Sequence, residues 1–350
     1  MKIALITDAW RPQVNGVVTT LTRNCEQLKA RGHIVELFTP DRFRNWPCPG
    51  YQEIRLALGC GRKLHRMLDE FQPDAVHIAT EGPLGLAARG YCRSRGFPFT
   101  TSFHTRFAEY VNVRSGIPVG WIYRLLRWFH NGAERTMTAT PALIEELKGR
   151  GFKNPVLWSR GVDTALFKPL AKPDRQEPVF LYAGRVAIEK NIDAFLSLDL
   201  PGRKVVVGDG PQRAELESKY PAVRFVGYRF GQELAEEIAA ADVFVFPSKT
   251  DTFGLVMLEA LACGVPVAAL PVQGPVDVIL SDKVGRLHDD LCKAALAALD
   301  LRPEDCRAYA MNYSWENCAG QFESHLAPIS RTVIRPTAWW QRHSGGRSST

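Results

Sequence analysis

Two acidic residues stand eight positions apart in the segment 246–268, whose pattern predicts a buried strand, a polar loop and a helix in succession. Asp251 falls in the loop, and Glu259 falls within the helix, which is expected to begin near Gly254. Free backbone N–H groups at a helix N-terminus, together with the helix dipole, suit a phosphate group. Glu259 would lie roughly one turn or more further along, in reach of hydroxyls on the same ligand. The segment is therefore predicted to hold a phosphate, a sugar and a ribose.

Two basic residues follow the predicted strand 179–183. Arg185 lies just after that strand, and Lys190 opens the next helix. Such a pair can neutralise a diphosphate, because arginine supplies paired donors and lysine a compact point charge. The alternative is a structural loop in which these cations pair with Glu189. Because both segments follow strands of one sheet, we favour a shared anion site.

Three residues of the first half also follow predicted strands. At Asn15 and Gly16 the backbone can approach a ligand closely, although Gly16 also fits an ordinary turn. His104 ends a later strand at the edge of the expected cleft. An imidazole there can bond a sugar hydroxyl or a leaving-group oxygen, whereas the alternative is a core histidine.

One helical pattern, 120–130, combines basic and aromatic side chains. Its members at helical spacing are Trp121, Arg124, Leu125, Arg127 and Trp128. Basic residues beside tryptophan are typical of a helix that lies at a membrane interface. A helix that packs on its own sheet with exposed arginines explains the pattern equally well.

The elements that must position these residues alternate between short apolar strands and amphipathic helices. Strands are predicted at 3–7, 34–38, 74–79, 99–103, 137–139, 179–183, 203–207, 223–226, 243–246 and 265–269. This alternation predicts parallel sheets wrapped by helices, and 350 residues exceed one ordinary core. We predict an α/β protein of two doubly wound, Rossmann-like domains, 1–165 and 166–314, that face a central cleft. A disordered tail is expected over 329–350.

Charge and cysteine content restrict the class of protein further. Residues 1–165 contain 23 Lys and Arg against 14 Asp and Glu, or +9, while the remainder is −2. The excess predicts an acidic partner for the first half, such as an anionic membrane surface, a phosphorylated substrate or a nucleic acid. No Cys or His spacing indicates a metal site, and no segment is long enough to span a membrane. We expect a reduced, cytoplasmic protein.

Taken together, the motifs resemble those of the family-four retaining glycosyltransferases with the GT-B architecture. The resemblance rests on Asn15-Gly16-Val17, Ser102-Phe-His-Thr105, Ser159-Arg-Gly-Val-Asp163, Gly184-Arg185 with Lys190, Gly208-Asp-Gly-Pro211 and the loop from Asp251 to Glu259. Tyr313-Ser-Trp-Glu316 resembles the start of the C-terminal helix, expected over 315–327, that returns to the first domain.

The resemblance implies a metal-independent hexosyltransferase without a cofactor, which keeps the anomeric configuration of a UDP- or GDP-linked sugar. It assigns Arg185 and Lys190 to the donor diphosphate and Glu259 to the ribose, while Asp251 and His104 serve the reacting sugar. The remaining donor contacts are expected at Gly16, Gly210, Phe253, Gly254 and Leu255. One departure concerns Asp251, where the family usually has Glu; the shorter side chain leaves the identity of the sugar open.

The acceptor side is expected to include Asn15 and the aromatic and basic helix. Trp46-Pro-Cys-Pro-Gly-Tyr51 and Leu157 to Asp163 look most like enzymes that glycosylate lipids, namely α-mannosyltransferases and sulfoquinovosyl- and glucosyl-diacylglycerol synthases. This implies a lipid or lipid-linked acceptor and an enzyme peripheral on the inner face of the cytoplasmic membrane, with no nucleic-acid partner.

Four alternatives remain open. A transferase with a soluble acceptor and a sugar-nucleotide epimerase would use the same fold. A sensor would bind the donor without releasing a nucleoside diphosphate. An NAD-dependent oxidoreductase is disfavoured, because the stretch 208–211 lacks the third glycine and the distal acid of a dinucleotide site.

Overall fold

The computed structural model of this chain describes residues 1–13, 15–48, 51–104, 108, 116–171, 176–251 and 253–330. Two six-stranded parallel sheets, one in each half of the chain, form its framework. Helices connect successive strands of each sheet. The predicted α/β class with two Rossmann-like sheets is confirmed.

The first sheet has the strand order β2-β1-β5-β6-β7-β8. Its strands are β1 (Lys2–Ile6), β2 (Ile34–Phe38), β5 (Ala75–Ile78), β6 (Thr100–Phe103), β7 (Arg135–Thr138) and β8 (Pro155–Leu157). The helices of this half are α1 (Gly16–Ala30), α2 (Gly61–Phe71), α3 (Pro83–Arg95), α4 (Val119–His130) and α5 (Pro141–Gly149), and a short 3-10 helix spans Pro40–Arg42. The central strands are buried on both faces, as parallel sheets require.

An antiparallel hairpin, β3 (Asn45–Cys48) with β4 (Tyr51–Ala57), precedes α2. The sequence pattern predicted no element between residues 39 and 73. Proline and glycine are typical of loops, so the stretch 46–51 does not resemble a strand. Proline is tolerated here because both strands of a two-stranded ribbon are edge strands.

The second sheet has the order β11-β10-β9-β12-β13-β14. Its strands are β9 (Val179–Ala183), β10 (Arg203–Val207), β11 (Arg224–Gly227), β12 (Val243–Phe246), β13 (Val267–Ala269) and β14 (Gly285–Leu287). The helices are α6 (Ile192–Leu196), α7 (Arg213–Lys219), α8 (Gly231–Ala239), α9 (Leu255–Ala262), α10 (Pro275–Val278), α11 (Leu291–Ala298) and α12 (Pro303–Ala310), with a 3-10 turn at Ile188–Lys190. Separate apolar clusters fill the two faces of this sheet.

A last helix, α13 (Trp315–His325), packs on the first sheet rather than the second. Phe322 joins the cluster that contains Ile3 and Leu5. The indole Nε1 of Trp158 donates a hydrogen bond of 3.1 Å to the Cys318 carbonyl. After this helix Ile329 is buried, and its N–H bonds to the Asp74 carbonyl. Of the predicted tail, residues 331–350 lie outside the described residues.

Both sheets reverse their strand order next to the first strand of the half, between β1 and β5 and between β9 and β12. Ligands of open α/β sheets bind at the carboxyl ends of strands at such reversals. The loop after β1 leads to Asn15 and Gly16, the loop after β9 carries Arg185 and Lys190, and the loop after β12 carries Asp251. Within the part of the chain described here, no helix has the length and hydropathy needed to cross a bilayer.

Candidate active site

The loops after β9 and β12 bring Lys190 and Asp251 into contact. The Lys190 Nζ donates to Asp251 Oδ1 at 2.5 Å, and both side chains are about one-fifth exposed. Nearby, the amide of Asn191 donates to the Pro247 carbonyl at 3.0 Å, which ties the two loops together. The residues predicted to bind a diphosphate and a sugar therefore share one charged cluster.

Two polar atoms of this cluster are unsatisfied. Asp251 Oδ2 and Ser248 Oγ are buried and have no hydrogen-bond partner among the residues that the structure describes. Buried polar atoms without partners are uncommon in native proteins because each costs free energy. A ligand hydroxyl that donates to Asp251 Oδ2 would remove this cost.

Gly254 sets the direction in which α9 starts. Its φ is +81°, and a Cβ built on it would lie 2.8 Å from Met257 Cε and 2.9 Å from Phe246 Cζ. No side chain of the described residues caps this helix. The Met257 N–H donates to the Gly254 carbonyl at 2.9 Å, while the N–H groups of Leu255 and Val256 have no partner among the described residues and can face an anion. Phe253 is buried beneath the loop. The predicted phosphate site at Gly254 and Leu255 thus has an open helix N-terminus.

Glu259 lies on α9, partly buried between the two halves. Burial raises the pKa of its carboxyl group from 4.5 to about 7, and the positive charge of Arg23 on α1 opposes this rise. Arg23 also donates to Asp163 Oδ2 at 3.1 Å. The carboxylate assigned to the ribose is therefore expected to titrate near neutral pH, and the cation that acts on it, Arg23, belongs to the first half.

Glycines in the loops after β9 and β10 allow the backbones to touch. A Cβ on Gly208 would lie 1.9 Å from the Gly184 carbonyl oxygen, and one on Gly210 would lie 2.3 Å from the Val186 carbonyl oxygen. The Val186 N–H donates to the Asp209 carbonyl at 2.9 Å. Gly210 thus holds the loop that carries Arg185 in place, while its predicted contact with the donor stays a prediction.

Gly16 is the point where the first half faces the donor loop. A Cβ built on it would lie 3.4 Å from Leu255 Cδ1. Asn15 caps α1, since its Oδ1 accepts from the N–H groups of Val17 at 3.1 Å and Val18 at 3.0 Å. These two N–H groups are therefore already satisfied, unlike those of α9. Contact of Asn15 with an acceptor stays a prediction.

His104 lies at the end of β6, 9% exposed. The Arg160 Nη2 lies 3.3 Å from His104 Nδ1, and the Trp158 ring packs against the imidazole at 5.6 Å between centroids. Burial, and then the positive charges of Arg160, His77 and His130, lower the pKa of His104 well below 6.5. His104 is therefore neutral at physiological pH.

The aromatic and basic helix α4 lies on the flank of the first sheet. Trp121, Leu125 and Trp128 are 77%, 58% and 51% exposed. Arg124 and Arg127 line a shallow cavity with residues of α3. Contact of this helix with an acceptor or a membrane stays a prediction.

Two family models together match most of the chain. Glycosyltransferase Family 4 matches residues 14–166, and Glycosyl transferases group 1 matches residues 177–301. The chain is 33% identical over 318 residues to a GDP-mannose-dependent alpha-mannosyltransferase of Mycobacterium tuberculosis, covering 82% of this chain and 83% of the relative. The chain belongs to glycosyltransferase family 4. The predicted family and the predicted enzyme class are confirmed.

A second relative of this glycosyltransferase is the alpha-monoglucosyldiacylglycerol synthase of Streptococcus pneumoniae, 28% identical, with 87% of this chain and 79% of the relative covered. Among solved structures, sucrose-phosphate synthase from Thermosynechococcus elongatus has the same fold. The TM-score is 0.75 at 23% identity, with 92% of this chain and 97% of that chain covered.

Sequence reasoning did not single out Arg160, Arg23 or Asp8 of this glycosyltransferase. Asp8, at the end of β1, accepts hydrogen bonds from the N–H groups of Leu84 and Gly85 at the start of α3. Its burial raises the pKa of its carboxyl group to about 6. Asp8 could have been found from the sequence, because it is the acid that ends the first apolar run. Arg160 stood within the motif Ser159-Arg-Gly-Val-Asp163 without an assigned role, and only the three-dimensional contacts distinguish Arg23 from other arginines.

Proposed function

We propose that this glycosyltransferase moves a hexose from a UDP- or GDP-linked sugar to a lipid or lipid-linked acceptor, with retention of the anomeric configuration. The observation that carries the proposal is the cluster of Lys190, Asp251 and the open N-terminus of α9 at a reversal of strand order. A cation, a hydroxyl acceptor and free N–H groups are the chemistry that a sugar diphosphate needs.

In the proposed reaction the protein itself stabilises the leaving diphosphate. Lys190 would exchange its bond to Asp251 for one to the diphosphate, and Arg185 would supply a second cation. The freed Asp251 carboxylate would then accept hydroxyls of the transferred sugar. Because two side-chain cations offset the developing charge, we propose that transfer needs no metal ion.

Retention follows from the face on which the acceptor attacks. In the proposed mechanism the acceptor oxygen bonds to the anomeric carbon on the face from which the diphosphate leaves, and the acceptor proton passes to the departing diphosphate oxygen. The new bond therefore has the configuration of the old one. His104 would position the sugar at that face. The protein then contributes mainly orientation and stabilisation of the departing charge.

A lipid acceptor is supported by the exposed tryptophans of α4 and by the excess positive charge of the first half. The mycobacterial relative is named as dependent on GDP-mannose, and the streptococcal relative is named as a synthase of a glucosyl-diacylglycerol. We propose that this enzyme works at the inner face of the cytoplasmic membrane, where both a nucleotide sugar and a lipid acceptor are accessible.

A donor screen tests the proposal. UDP-glucose, UDP-galactose and GDP-mannose are each incubated with and without diacylglycerol in mixed micelles, with and without EDTA, and released UDP or GDP is measured. We expect release with one donor, dependent on acceptor and insensitive to EDTA, and an α-linked product by NMR. Donor turnover without acceptor or a new glycosidic bond would instead indicate an epimerase, and inversion at the anomeric carbon would contradict retention.

A further inference from the structure

A cavity of about 310 Å³ lies between α3 and α4, apart from the donor loops. It is lined by Arg89, Arg93, Arg124, Arg127, Trp128, Asn131 and Gly132. Arg93 and Asn131 belong to the C-terminal ends of these helices, which lie towards the amino ends of the parallel strands. The donor loops follow the carboxyl ends, so this cavity is a different site.

Four arginines, Arg89, Arg93, Arg124 and Arg127, share this cavity. None of them forms an ion pair with any residue that the structure describes. The guanidinium of Arg89 lies 3.8 Å from the centroid of the Trp128 ring and donates to the carbonyls of Trp128 and Phe129. Burial and the charge of Arg93 lower the pKa of Arg89. Like charges held this close favour a bound anion.

We propose that this cavity binds the phosphate of an anionic glycerophospholipid headgroup, which docks the enzyme on the bilayer. Arginine forks match phosphate oxygens in pairs. Arg89 is fixed by its two carbonyl bonds and its stacking on Trp128, while the exposed Arg93 and Arg124 can move to meet the headgroup.

A lipid rather than free phosphate fits the rim of the cavity. Trp121, Leu125 and Trp128 stand exposed on the same helix that supplies two of the arginines. Their side chains would enter the boundary between headgroups and acyl chains when the phosphate is bound. The inference rests on the proposed lipid-facing function but specifies a discrete headgroup site.

Vesicle sedimentation at low ionic strength tests this site in the full chain. Phosphatidylglycerol–phosphatidylcholine vesicles are compared with pure phosphatidylcholine for the wild type, for Arg93→Gln/Arg124→Gln and for Arg203→Gln/Arg302→Gln. The second pair removes the same charge from exposed positions far from the cavity. We expect the cavity pair to weaken binding to anionic vesicles by about 30-fold and the control pair by less than about 3-fold.

Two results would overturn the inference. Equal losses in both double variants would mean that binding follows net charge alone. In the second result, inorganic phosphate binds to the wild type and not to the cavity variant, yet fails to displace the wild type from anionic vesicles. That result would identify the cavity as a site for free phosphate. Donor turnover is measured separately in detergent micelles, so failure of headgroup binding is distinguishable from failure of the proposed reaction.

A second inference concerns Arg160 and rests on independent contacts. Its guanidinium is buried, stacks on Trp158 at 4.6 Å and donates to the carbonyls of Trp158 and Ser159. No acidic side chain of the described residues pairs with it. The guanidinium also lies 3.3 Å from His104 Nδ1. Because a guanidinium has no acceptor, the imidazole nitrogen must be the acceptor.

We propose that Arg160 is a positioning residue that keeps the proton of neutral His104 on Nε2. A proton on Nδ1 would face the donor of Arg160, so both the other tautomer and the imidazolium are disfavoured at this contact. His77 and His130, the other titratable groups that act on His104, are bonded to Ser102 and Glu81. His104 would therefore present an N–H donor to the sugar over the working pH range.

Nitrogen NMR of ¹⁵N-histidine protein measures this directly, with His104→Asn to assign the signal. In the wild type we expect protonated Nε2 and bare Nδ1 from pH 5 to 8. In Arg160→Met the pKa of His104 should rise because one positive charge is removed, although burial still keeps it below its ordinary value. The kcat should then fall towards the acid end of this range, while donor KM changes less than about two-fold. Arg135→Met, which loses a bond to the His325 carbonyl, is the control.

A protonated Nδ1 in the wild type, or a His104 titration identical in Arg160→Met, would overturn the inference. The wild-type spectrum decides the tautomer even if the variant folds poorly.

Discussion

Two buried histidines of the first half, His77 and His130, are bonded to neighbouring polar side chains, whereas two buried polar atoms of the loop after β12 have no partner among the described residues. His77 bonds Thr100 and Ser102, and His130 bonds Thr101 and Glu81. In the second half, Asp251 Oδ2 and Ser248 Oγ are buried and unsatisfied.

The two facing helix N-termini differ in the same way. Asn15 caps α1 with two hydrogen bonds, while no described side chain caps α9 at Gly254. Unsatisfied donors and acceptors cost stability until a ligand bonds to them. In line with the proposed function, we expect the second half to hold the donor and the first half to face the transferred sugar. Substitutions in the second half should therefore affect ligand binding most.

The largest effect is expected for Lys190→Ala. Removing the cation leaves Asp251 without its partner and the diphosphate without its point charge, so donor kcat/KM should fall by about 100-fold or more. Titration calorimetry with UDP and GDP and steady-state kinetics measure the loss. Lys219→Ala, which breaks a similar Lys–Asp pair of 2.7 Å at the exposed surface, should leave both unchanged. Unchanged donor affinity in Lys190→Ala would remove Lys190 from the donor site.

Gly254→Ala should lower the free energy of unfolding by about 2 kcal/mol, because the added Cβ meets Phe246 and Met257 and the residue must keep a positive φ. Donor affinity should fall as well, since α9 would start in a different direction. Gly16→Ala, whose Cβ would make only an ordinary contact with Leu255, is the control across the cleft. Denaturant unfolding compares the two, and equal stabilities would contradict the prediction.

Glu259→Gln tests the titration of the ribose acid. The folded-state pKa of about 7 lies above the ordinary 4.5, so the stabilising effect of protonation is present below pH 4.5 and is lost as the pH rises to 7. The melting temperature of Glu259→Gln relative to the wild type should therefore increase from pH 5 to pH 8. In the wild type, donor affinity should rise as the carboxylate ionises.

The corresponding affinity in Glu259→Gln should be independent of pH and about 10-fold weaker at pH 8. A constant difference in melting temperature across this range would show that Glu259 has an ordinary pKa.

Asn15→Ala should have the smallest effect. It removes the cap of α1 and should cost about 1 kcal/mol of stability, whereas Asn15→Ser should restore most of it. Chemical denaturation measures both. A large loss of turnover at unchanged stability would instead indicate that Asn15 contacts a substrate, which would sharpen the contrast between the two helix N-termini.

Much of the proposed donor site could be placed from the sequence, because its position depends on local order. A strand, a polar loop and a glycine before a helix are encoded within about twenty residues around Asp251, so strand-end positions follow from pattern alone. The hairpin of β3 and β4 was missed because its proline-rich sequence lacks the alternation of an ordinary strand. The pairing of Lys190 with Asp251 was not predicted, since they are 61 residues apart.

The sequence by itself determined the two-sheet α/β fold, since periodicity is a local property, and its motifs determined the glycosyltransferase family. It also predicts that the chemistry lies in loops after strands. The tertiary structure decided which polar groups are satisfied. Asn15 caps α1, and Asp251 has an unsatisfied oxygen among the described residues. The buried Arg160 contacts His104, which is 56 positions away in the sequence. Whether a polar group has a hydrogen-bond partner depends on which distant elements pack against it. Only the folded chain establishes this packing.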